Sequence, residues 1–307
     1  MFVLLNPESG GARSIERWRS VEPDVRRRIG PYRLEVAAGP LVIRSCVRRA
    51  LERGETDFVA AGGDGTVNAV VSAIVEHLPA PALRRIRVGA IGLGSSNDFH
   101  KPASPESVAG DIPIRLDFGG TVTSDLCRID YLDSLNRFGH CSWLINASLG
   151  TTAEANCRFN RSDGLICWLK TRLPCAAMVY AAIRTIISFR AQTLDLEIGP
   201  EKLKVRARNV GIVKKPTFSG SLRYGSEPAG PGRMGVHLID DVGITRLCLI
   251  VARLLRGRFE GPGTRSWIVS RLSVSSDRPF LIERDGEVIR TRTASFRVLP
   301  GAIQLCT

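Results

Sequence analysis

Residues 58–68 read Phe-Val-Ala-Ala-Gly-Gly-Asp-Gly-Thr-Val-Asn, and this stretch is the clearest indication of the fold of the first part of the chain. The run from Phe58 to Ala61 is short and apolar, which is typical of a strand covered on both faces. Apolar residues then recur with the spacing of one helix face, at Val67, Val70, Val71, Ile74 and Leu78. The stretch therefore predicts a buried strand, a glycine turn and a helix, with Thr66 capping the helix through its hydroxyl.

The glycine turn has the composition of a phosphate-binding loop. Gly62, Gly63 and Gly65 leave the backbone uncovered, and free N–H groups at a helix start attract phosphate. Asp64 places a carboxylate in the middle of this loop, which suits a Mg²⁺ ion that accompanies phosphates, or a nucleotide hydroxyl. An ordinary strand-to-helix turn is the alternative, because glycine loops are common in α/β proteins.

Three further segments accompany this loop: Asn-Pro-Glu-Ser-Gly-Gly at 6–11, Gly-Leu-Gly-Ser-Ser-Asn-Asp-Phe at 92–99 and Asp-Gly-Glu at 285–287. With Gly-Gly-Asp-Gly-Thr at 62–66, they resemble in sequence and in order the motifs of the diacylglycerol kinase and sphingosine kinase catalytic-domain family, of the bacterial lipid kinase type. NAD kinases and phosphofructokinases are distant relatives of that family. The four motifs extend over nearly the whole chain.

The resemblance implies an ATP- and Mg²⁺-dependent kinase that transfers the γ-phosphoryl group to a hydroxyl of a lipid or lipid-like acceptor. It implies Glu287 as the proton acceptor, with Asp285 nearby, and Asp64 and Asp98 as metal ligands. On its own, the segment 285–287 is more typical of a hairpin turn, and the three other motifs are what favours the catalytic interpretation. The residues that would contact the nucleotide are Asn6, Gly62, Gly63, Asp64, Gly65, Thr66, Asn68, Ser95 and Asn97.

The order of elements divides the chain in two. Strands alternate with helices at first, and the glycine motifs follow strands, which predicts an open α/β nucleotide-binding domain over 1–118. Strand-like stretches such as Cys141–Ala147 dominate afterwards and predict an antiparallel β domain over 119–295. The resemblance implies that this domain is a β-sandwich, that a cleft between the domains holds the active site, and that the last strands, about 296–307, return to the first domain.

Charge and composition limit the classes of partner. The chain has 307 residues with a formal net charge of +13, which favours phospholipid headgroups, nucleic acid or phosphorylated ligands, or serves solubility alone. Nucleic-acid motifs are missing and aromatic residues make up only 6%, so we expect no nucleic-acid partner. The first strand at Phe2 leaves no room for a signal peptide, and no long uncharged apolar run predicts a membrane span. We expect a cytoplasmic protein, either free or peripheral at the inner membrane surface.

Two segments leave their role open. Gly164–Phe189 and Gly243–Phe259 are apolar with interspersed basic residues. They fit either helices lying on an anionic membrane surface or helices packed on the β domain. A homodimer is equally left open by the sequence.

The chain also departs from the family pattern. Ala69 stands where the family has glutamate, and Phe218–Val236 lacks the aspartates that hold a structural Mg²⁺ in bacterial lipid kinases. The sequence therefore predicts no second metal site and leaves the acceptor pocket undefined. Two further hypotheses stand beside the lipid kinase: the same transfer to a soluble small-molecule alcohol of a biosynthetic pathway, and an inactive relative that binds nucleotide or lipid.

Overall fold

The computed structural model describes residues 1–101, 107–160, 166, 168–169, 172–218, 222–225, 229–285 and 287–307. The chain divides into two compact units. One comprises Met1–Leu126 with Leu299–Thr307, and the other comprises Cys127–Val298. Within these described ranges, no helix is long and apolar enough to cross a membrane.

The first unit is built on a parallel sheet with helices between its strands, so the predicted α/β architecture is confirmed here. Its parallel strands follow the spatial order Arg33–Val36, Phe2–Leu5, Asp57–Gly62 and Arg87–Gly92, and the end of the last strand of the chain adds to the fourth of these through Gln304 and Leu305. The main strands are β1 (Phe2–Leu5), β2 (Arg33–Val36), β3 (Asp57–Gly62) and β4 (Arg87–Gly92), followed by the short β5 (Val108–Ala109) and β6 (Ile112–Arg115). The long helices are α1 (Ser14–Ile29), α2 (Pro40–Glu52) and α3 (Asp64–His77).

The register of this sheet aligns the ends of three strands. Leu5 at the end of β1 pairs with Ala61, and Gly62 at the end of β3 pairs with Gly92. Burial of all of β1 and nearly all of β3 and β4 explains why their sequences are almost continuously apolar. Each glycine motif of this unit follows one of these strands, so the sheet delivers all three motifs to one edge.

The second unit is dominated by strands, and the described pairings among its strands β7–β17 are antiparallel. One large core, which includes Trp143, Phe280 and Phe296, lies among them. The strands are β7 (Val122–Leu132), β8 (Phe138–Trp143), β9 (Asn146–Gly150), β10 (Gln192–Ile198), β11 (Glu201–Val213), β12 (Thr217–Phe218), β13 (Leu222–Arg223), β14 (Met234–Asp240), β15 (Thr264–Val269), β16 (Arg271–Arg284) and β17 (Glu287–Leu305). The helices are α4 (Thr151–Asn160), α5 (Pro174–Ser188) and α6 (Ile244–Leu254).

One strand prediction in this unit is wrong. Cys141–Ala147 does not form one strand, because β8 ends at Trp143 and β9 begins at Asn146. The N–H groups of Leu144 and Ile145 at this corner donate to the carboxylate of Asp285 instead of to a neighbouring strand. A side chain distant in sequence thus breaks an apolar run that would otherwise continue as a strand.

Candidate active site

Three of the four motifs meet within the first unit. The side-chain amide of Asn6 donates to the hydroxyl of Thr66 at 2.9 Å, and its backbone N–H donates to the carbonyl of Ala61 at 2.9 Å. The N–H of Leu93 donates to the carbonyl of Gly62 at 2.9 Å. The segments 6–11, 62–66 and 92–99 therefore form one hydrogen-bonded group of loops at the edge of the sheet.

Glycine is required where these loops touch. A Cβ atom on Gly94 would lie 2.5 Å from the Cα of Gly63, so the two loops are in backbone contact. A Cβ atom on Gly62 would lie 2.3 Å from the hydroxyl oxygen of Thr66. A larger residue at Gly94 would have to push two loops apart, and one at Gly62 would have to displace Thr66 within its own loop.

Thr66 links the loops and does not cap the helix, so the capping prediction is wrong. Helix α3 begins at Asp64 after Gly63, without a side-chain cap. The Thr66 hydroxyl is buried, accepts the hydrogen bond from Asn6 and lies 3.3 Å from the hydroxyl of Ser9. The hydroxyl of Thr66 is thus bonded to other loops instead of to the start of its own helix. A local sequence pattern does not reveal such partners.

Asp64 joins the second and third loops. Its two carboxylate oxygens accept the backbone N–H groups of Asp98 at 3.0 Å and Phe99 at 2.8 Å. Burial raises the pKa of Asp64, the N–H of Phe99 opposes this rise, and the nearby charge of Asp98 adds to it. The buried Asp98 in turn accepts a charged hydrogen bond from Lys101 Nζ at 2.7 Å. Two carboxylates are therefore neighbours at the start of α3.

This pair of carboxylates has the donor set for a Mg²⁺ ion that is shared with phosphates. Mg²⁺ in nucleotide sites takes one or two carboxylates and fills its other positions with water and phosphate oxygens. Each oxygen of Asp64 that accepts one N–H retains acceptor capacity. The described part of the chain contains no group of three or more His, Cys, Asp or Glu side chains placed to hold a metal. The residues thus fit a shared ion and not a closed protein site.

The other residues predicted to contact the nucleotide differ in accessibility. Asn97 has a left-handed backbone, with φ of 48°, and its side-chain amide donates to the carbonyls of Gly92 and Gly94 at 3.0 Å each. It therefore shapes its own loop. Ser95, at the tip of the same loop, is exposed, whereas Asn68 is buried in the first turns of α3.

Sequence reasoning missed Arg17, which lies on α1. Its guanidinium Nη1 donates to the carbonyls of Leu93 at 3.1 Å and Gly94 at 3.4 Å. The side chain thereby fixes the third loop from the neighbouring helix. Arginine on a charged helix gives no sequence signal for this role, because its partners are more than seventy residues away.

The fourth motif lies in the second unit, at the turn between β16 and β17. Asp285 is 4% exposed, and its carboxylate accepts three backbone N–H groups, from Leu144 at 2.8 Å, Ile145 at 3.2 Å and Asn146 at 3.1 Å. Its φ of 41° is left-handed, a conformation that Asp and Asn tolerate better than most residues. Asp285 therefore holds the corner between β8 and β9 against the turn.

Glu287, at the start of β17, is the accessible carboxylate of this motif. Its side chain is 33% exposed, and its Oε2 lies 2.5 Å from the Nη2 of Arg284, which is 11% exposed. Arg284 is fixed in turn by donating to the carbonyl of Ser142 at 2.9 Å. Of the two acidic residues of the motif, Glu287 alone combines a fixed orientation with access to solvent.

An apolar cavity of about 400 Å³ lies in the same unit, lined by residues of α4, α5, α6 and the adjoining strands. Its volume falls within the range of small-molecule sites. Most of its lining is aliphatic, and includes Met178, Val179, Ile186, Leu247 and Leu254.

A few polar groups converge on this cavity. Glu283 of β16 is 5% exposed and accepts a hydrogen bond from the hydroxyl of Ser148 at 2.9 Å. Asn209 accepts the N–H of Thr152 at 2.9 Å, and burial raises the pKa of the Tyr224 hydroxyl. An apolar space with a small polar cluster is the lining expected for an amphiphilic ligand.

The comparisons with known proteins agree with this arrangement of motifs. Residues 1–121 match the family model described as the diacylglycerol kinase catalytic domain. The chain is 33% identical over 103 residues to a diacylglycerol kinase of Staphylococcus carnosus (strain TM300), covering 32% of this chain and 30% of that protein. It is 31% identical over 135 residues to a diacylglycerol kinase of Staphylococcus epidermidis (strain ATCC 12228 / FDA PCI 1200), covering 42% and 39%. The matches thus span well under half of each curated relative.

Solved structures extend the similarity of fold over the whole chain. A diacylglycerol kinase from Bacillus anthracis str. Sterne superposes with a TM-score of 0.66 at 11% identity, over 99% of this chain and 95% of that chain. Yeast NADH kinase, complexed with NADH, superposes with a TM-score of 0.50 at 14% identity, over 100% and 82%. At these identities the structures show a shared fold alone. For residues 1–121, however, the family match confirms the resemblance to the diacylglycerol kinase catalytic domain that the sequence motifs indicate.

Proposed function

We propose that this protein is an ATP- and Mg²⁺-dependent kinase that transfers the γ-phosphoryl group of ATP to a hydroxyl of a lipid or lipid-like acceptor. The observation that carries the proposal is the meeting of three glycine-containing loops around the Asp64–Asp98 pair at the start of α3. The diacylglycerol kinase names of the curated relatives support the same class of reaction.

The first unit binds the nucleotide in this proposal. Backbone N–H groups of the loops, including that of Gly65, compensate phosphate charge, and the positive end of α3 adds to them. Mg²⁺ held by Asp64 and Asp98 would neutralise the charge that develops on the phosphates. Thr66, buried between loops, keeps the backbone groups in place, and Ser95 is available to contact the nucleotide.

The second unit supplies the base and the acceptor site. Glu287 accepts the proton of the acceptor hydroxyl, and the resulting oxygen forms a bond to the γ-phosphorus as the bond from that phosphorus to the bridging oxygen breaks and ADP leaves. Asp285 acts as a positioning residue, because three backbone amides occupy its carboxylate. The apolar cavity favours a lipid acceptor over a soluble alcohol, because its aliphatic lining offers few hydrogen-bond partners to a polar molecule.

The test measures where phosphate arrives. The protein is incubated with γ-labelled ATP and Mg²⁺, once with mixed-lipid vesicles containing diacylglycerol and once with an extract of soluble alcohols, and the two phases are counted. Label in the lipid phase alone is the expected result. Label confined to soluble products would refute the lipid acceptor and support the soluble-alcohol alternative. Label in neither sample, with ATP still bound, would leave an inactive nucleotide-binding relative.

A further inference from the structure

Helix α5 carries an apolar stripe that faces solvent. Val179, Ile183 and Ile187 follow one another at four-residue spacing and are 57%, 52% and 66% exposed. The helix is not simply unpacked, since Ala181 and Thr185 on another face are buried at 1%. Helix α5 therefore has one face that the unit covers and an apolar face that the unit leaves exposed.

The exposed stripe is continuous with the lining of the apolar cavity. Val179 belongs to both, because it lines the cavity and is more than half exposed. Near the end of the helix, Ile186 lines the cavity and packs against the cluster of α6 that contains Leu247 and Leu254. Val179 is therefore the residue at which an acyl chain on the stripe would reach the cavity lining.

The charged residues of the segment that carries the stripe are all basic. The sequence from Gly164 to Thr193 contains Lys and Arg but no Asp or Glu. Arg172 precedes α5, Arg184 lies within it and Arg190 follows it, and all three are exposed. Long cationic side chains beside an exposed apolar stripe are typical of a helix lying at the boundary between headgroups and acyl chains, because the stems remain in apolar surroundings and the charges reach the phosphates.

We propose that the stripe formed by Val179, Ile183 and Ile187 docks the second unit on an anionic lipid bilayer, and that the acceptor enters the cavity from the bilayer beside Val179. This inference rests on the proposed function, because it names the source of the acceptor. Anionic lipid is the occupant that matches both the aliphatic stripe and the exposed arginines of its own segment, and the net charge of +13 adds long-range attraction.

The test is co-sedimentation with vesicles in the absence of ATP. Wild type, Ile183→Glu and Ile268→Glu are compared on vesicles of phosphatidylglycerol with phosphatidylcholine and on vesicles of phosphatidylcholine alone. Ile268 is the matched control, because it is an isoleucine 57% exposed on β15. We expect Ile183→Glu to lower partitioning into anionic vesicles by about tenfold or more, since it removes apolar contact and adds a charge that anionic lipid repels. The Ile268→Glu protein should bind as wild type does.

A second measurement separates docking from catalysis. With a short-chain acceptor that dissolves as a monomer, Ile183→Glu should transfer phosphate at the wild-type rate. Equal vesicle binding by Ile183→Glu and wild type would overturn the docking proposal. So would a wild-type dimer, measured without vesicles, that dissociates on Ile183→Glu, because a second copy would then cover the stripe. Stripe-dependent vesicle binding without phosphate transfer to any acceptor would refute the proposed function and leave docking intact.

Discussion

Replacing Asp285 by Asn tests whether this carboxylate holds the second unit together. The side chain is 4% exposed and joins the β16–β17 turn to the N–H groups of Leu144, Ile145 and Asn146. Asn has nearly the same shape and tolerates the left-handed backbone at this position, where φ is 41°. The substitution therefore changes hydrogen bonding and charge without adding backbone strain.

The magnitude follows from the three bonds. A hydrogen bond to a charged acceptor stabilises the folded state by about 1.5–3 kcal/mol, and here one bond is 2.8 Å long whereas the other two, at 3.1 and 3.2 Å, share one oxygen. Asn keeps one acceptor oxygen and turns an NH₂ group toward an N–H donor. The Asn variant therefore loses one or two hydrogen bonds and gains a repulsion between two N–H donors. Because Asn is uncharged, the variant no longer buries a charge, which partly offsets this loss. We expect the free energy of unfolding to fall by about 3 kcal/mol.

The assay combines urea unfolding with hydrogen exchange. Trp143, one of four tryptophans in the chain, is completely buried and directly precedes the affected amides, so exposure of its indole contributes to the fluorescence change when this unit unfolds. Exchange of the N–H groups at 144–146 should accelerate by tenfold or more, because 1.4 kcal/mol of local stability corresponds to a factor of ten. Asp277→Asn, at an exposed position, is the matched control and should change stability by less than about 0.5 kcal/mol. A loss below about 1 kcal/mol for Asp285→Asn, with unchanged exchange at 144–146, would refute the positioning role.

Three further predictions concern the loops and the core. Gly94→Ala should destabilise the first unit by about 1–3 kcal/mol and weaken ATP binding, measured by calorimetry, because its Cβ would meet the Cα of Gly63 at 2.5 Å. Gly243→Ala, whose Cβ would meet no atom within 4 Å, should leave ATP binding unchanged and cost at most about 1 kcal/mol, since Gly243 is the N-cap of α6. Asp64→Asn should remove most of the Mg²⁺ dependence of ATP affinity, and titrations with and without Mg²⁺ that show the wild-type dependence would contradict its metal role. Burial lowers the pKa of His237 from 6.5 to about 4. As the pH drops, the histidine of the unfolded chain is protonated before that of the folded protein, so the free energy of unfolding falls between about pH 6.5 and pH 4. At pH 5 the free energy of unfolding is about 2 kcal/mol lower than at neutral pH, and thermal unfolding of His237→Phe should lack this pH-dependent component.

The local structure of the nucleotide loops was predictable because each signal lies within a short stretch. The four apolar residues before Gly62 predict a buried strand, and the spacing of apolar residues after Asp64 predicts helix α3. The contact between Gly63 and Gly94 was not predictable in the same way. This contact depends on the pairing and register of β3 and β4, which are set by packing of the sheet and are not visible in any local sequence pattern.

Long-range partners explain the remaining differences. Asp285 resembles a turn residue in sequence, yet its partners at 144–146 lie about 140 residues earlier and contribute only backbone N–H groups. Apolar residues such as Leu144 therefore predict a continuous strand where the chain turns a corner. Thr66 is a residue type that often caps helices, but its hydroxyl accepts a hydrogen bond from Asn6, sixty residues away. Side-chain identity is visible in a sequence, whereas the atom with which it pairs is set by the tertiary fold.

Comparing Glu287→Gln with wild type tests whether Glu287 is the base for phosphate transfer. The rate of γ-phosphate transfer from ATP to the lipid acceptor is measured at saturating Mg²⁺, alongside ATP affinity and thermal stability. Because general-base catalysis contributes about a hundredfold to ten-thousandfold, we expect at least a hundredfold lower kcat with ATP affinity unchanged. Transfer by Glu287→Gln at the wild-type rate would contradict the role of Glu287 as the base.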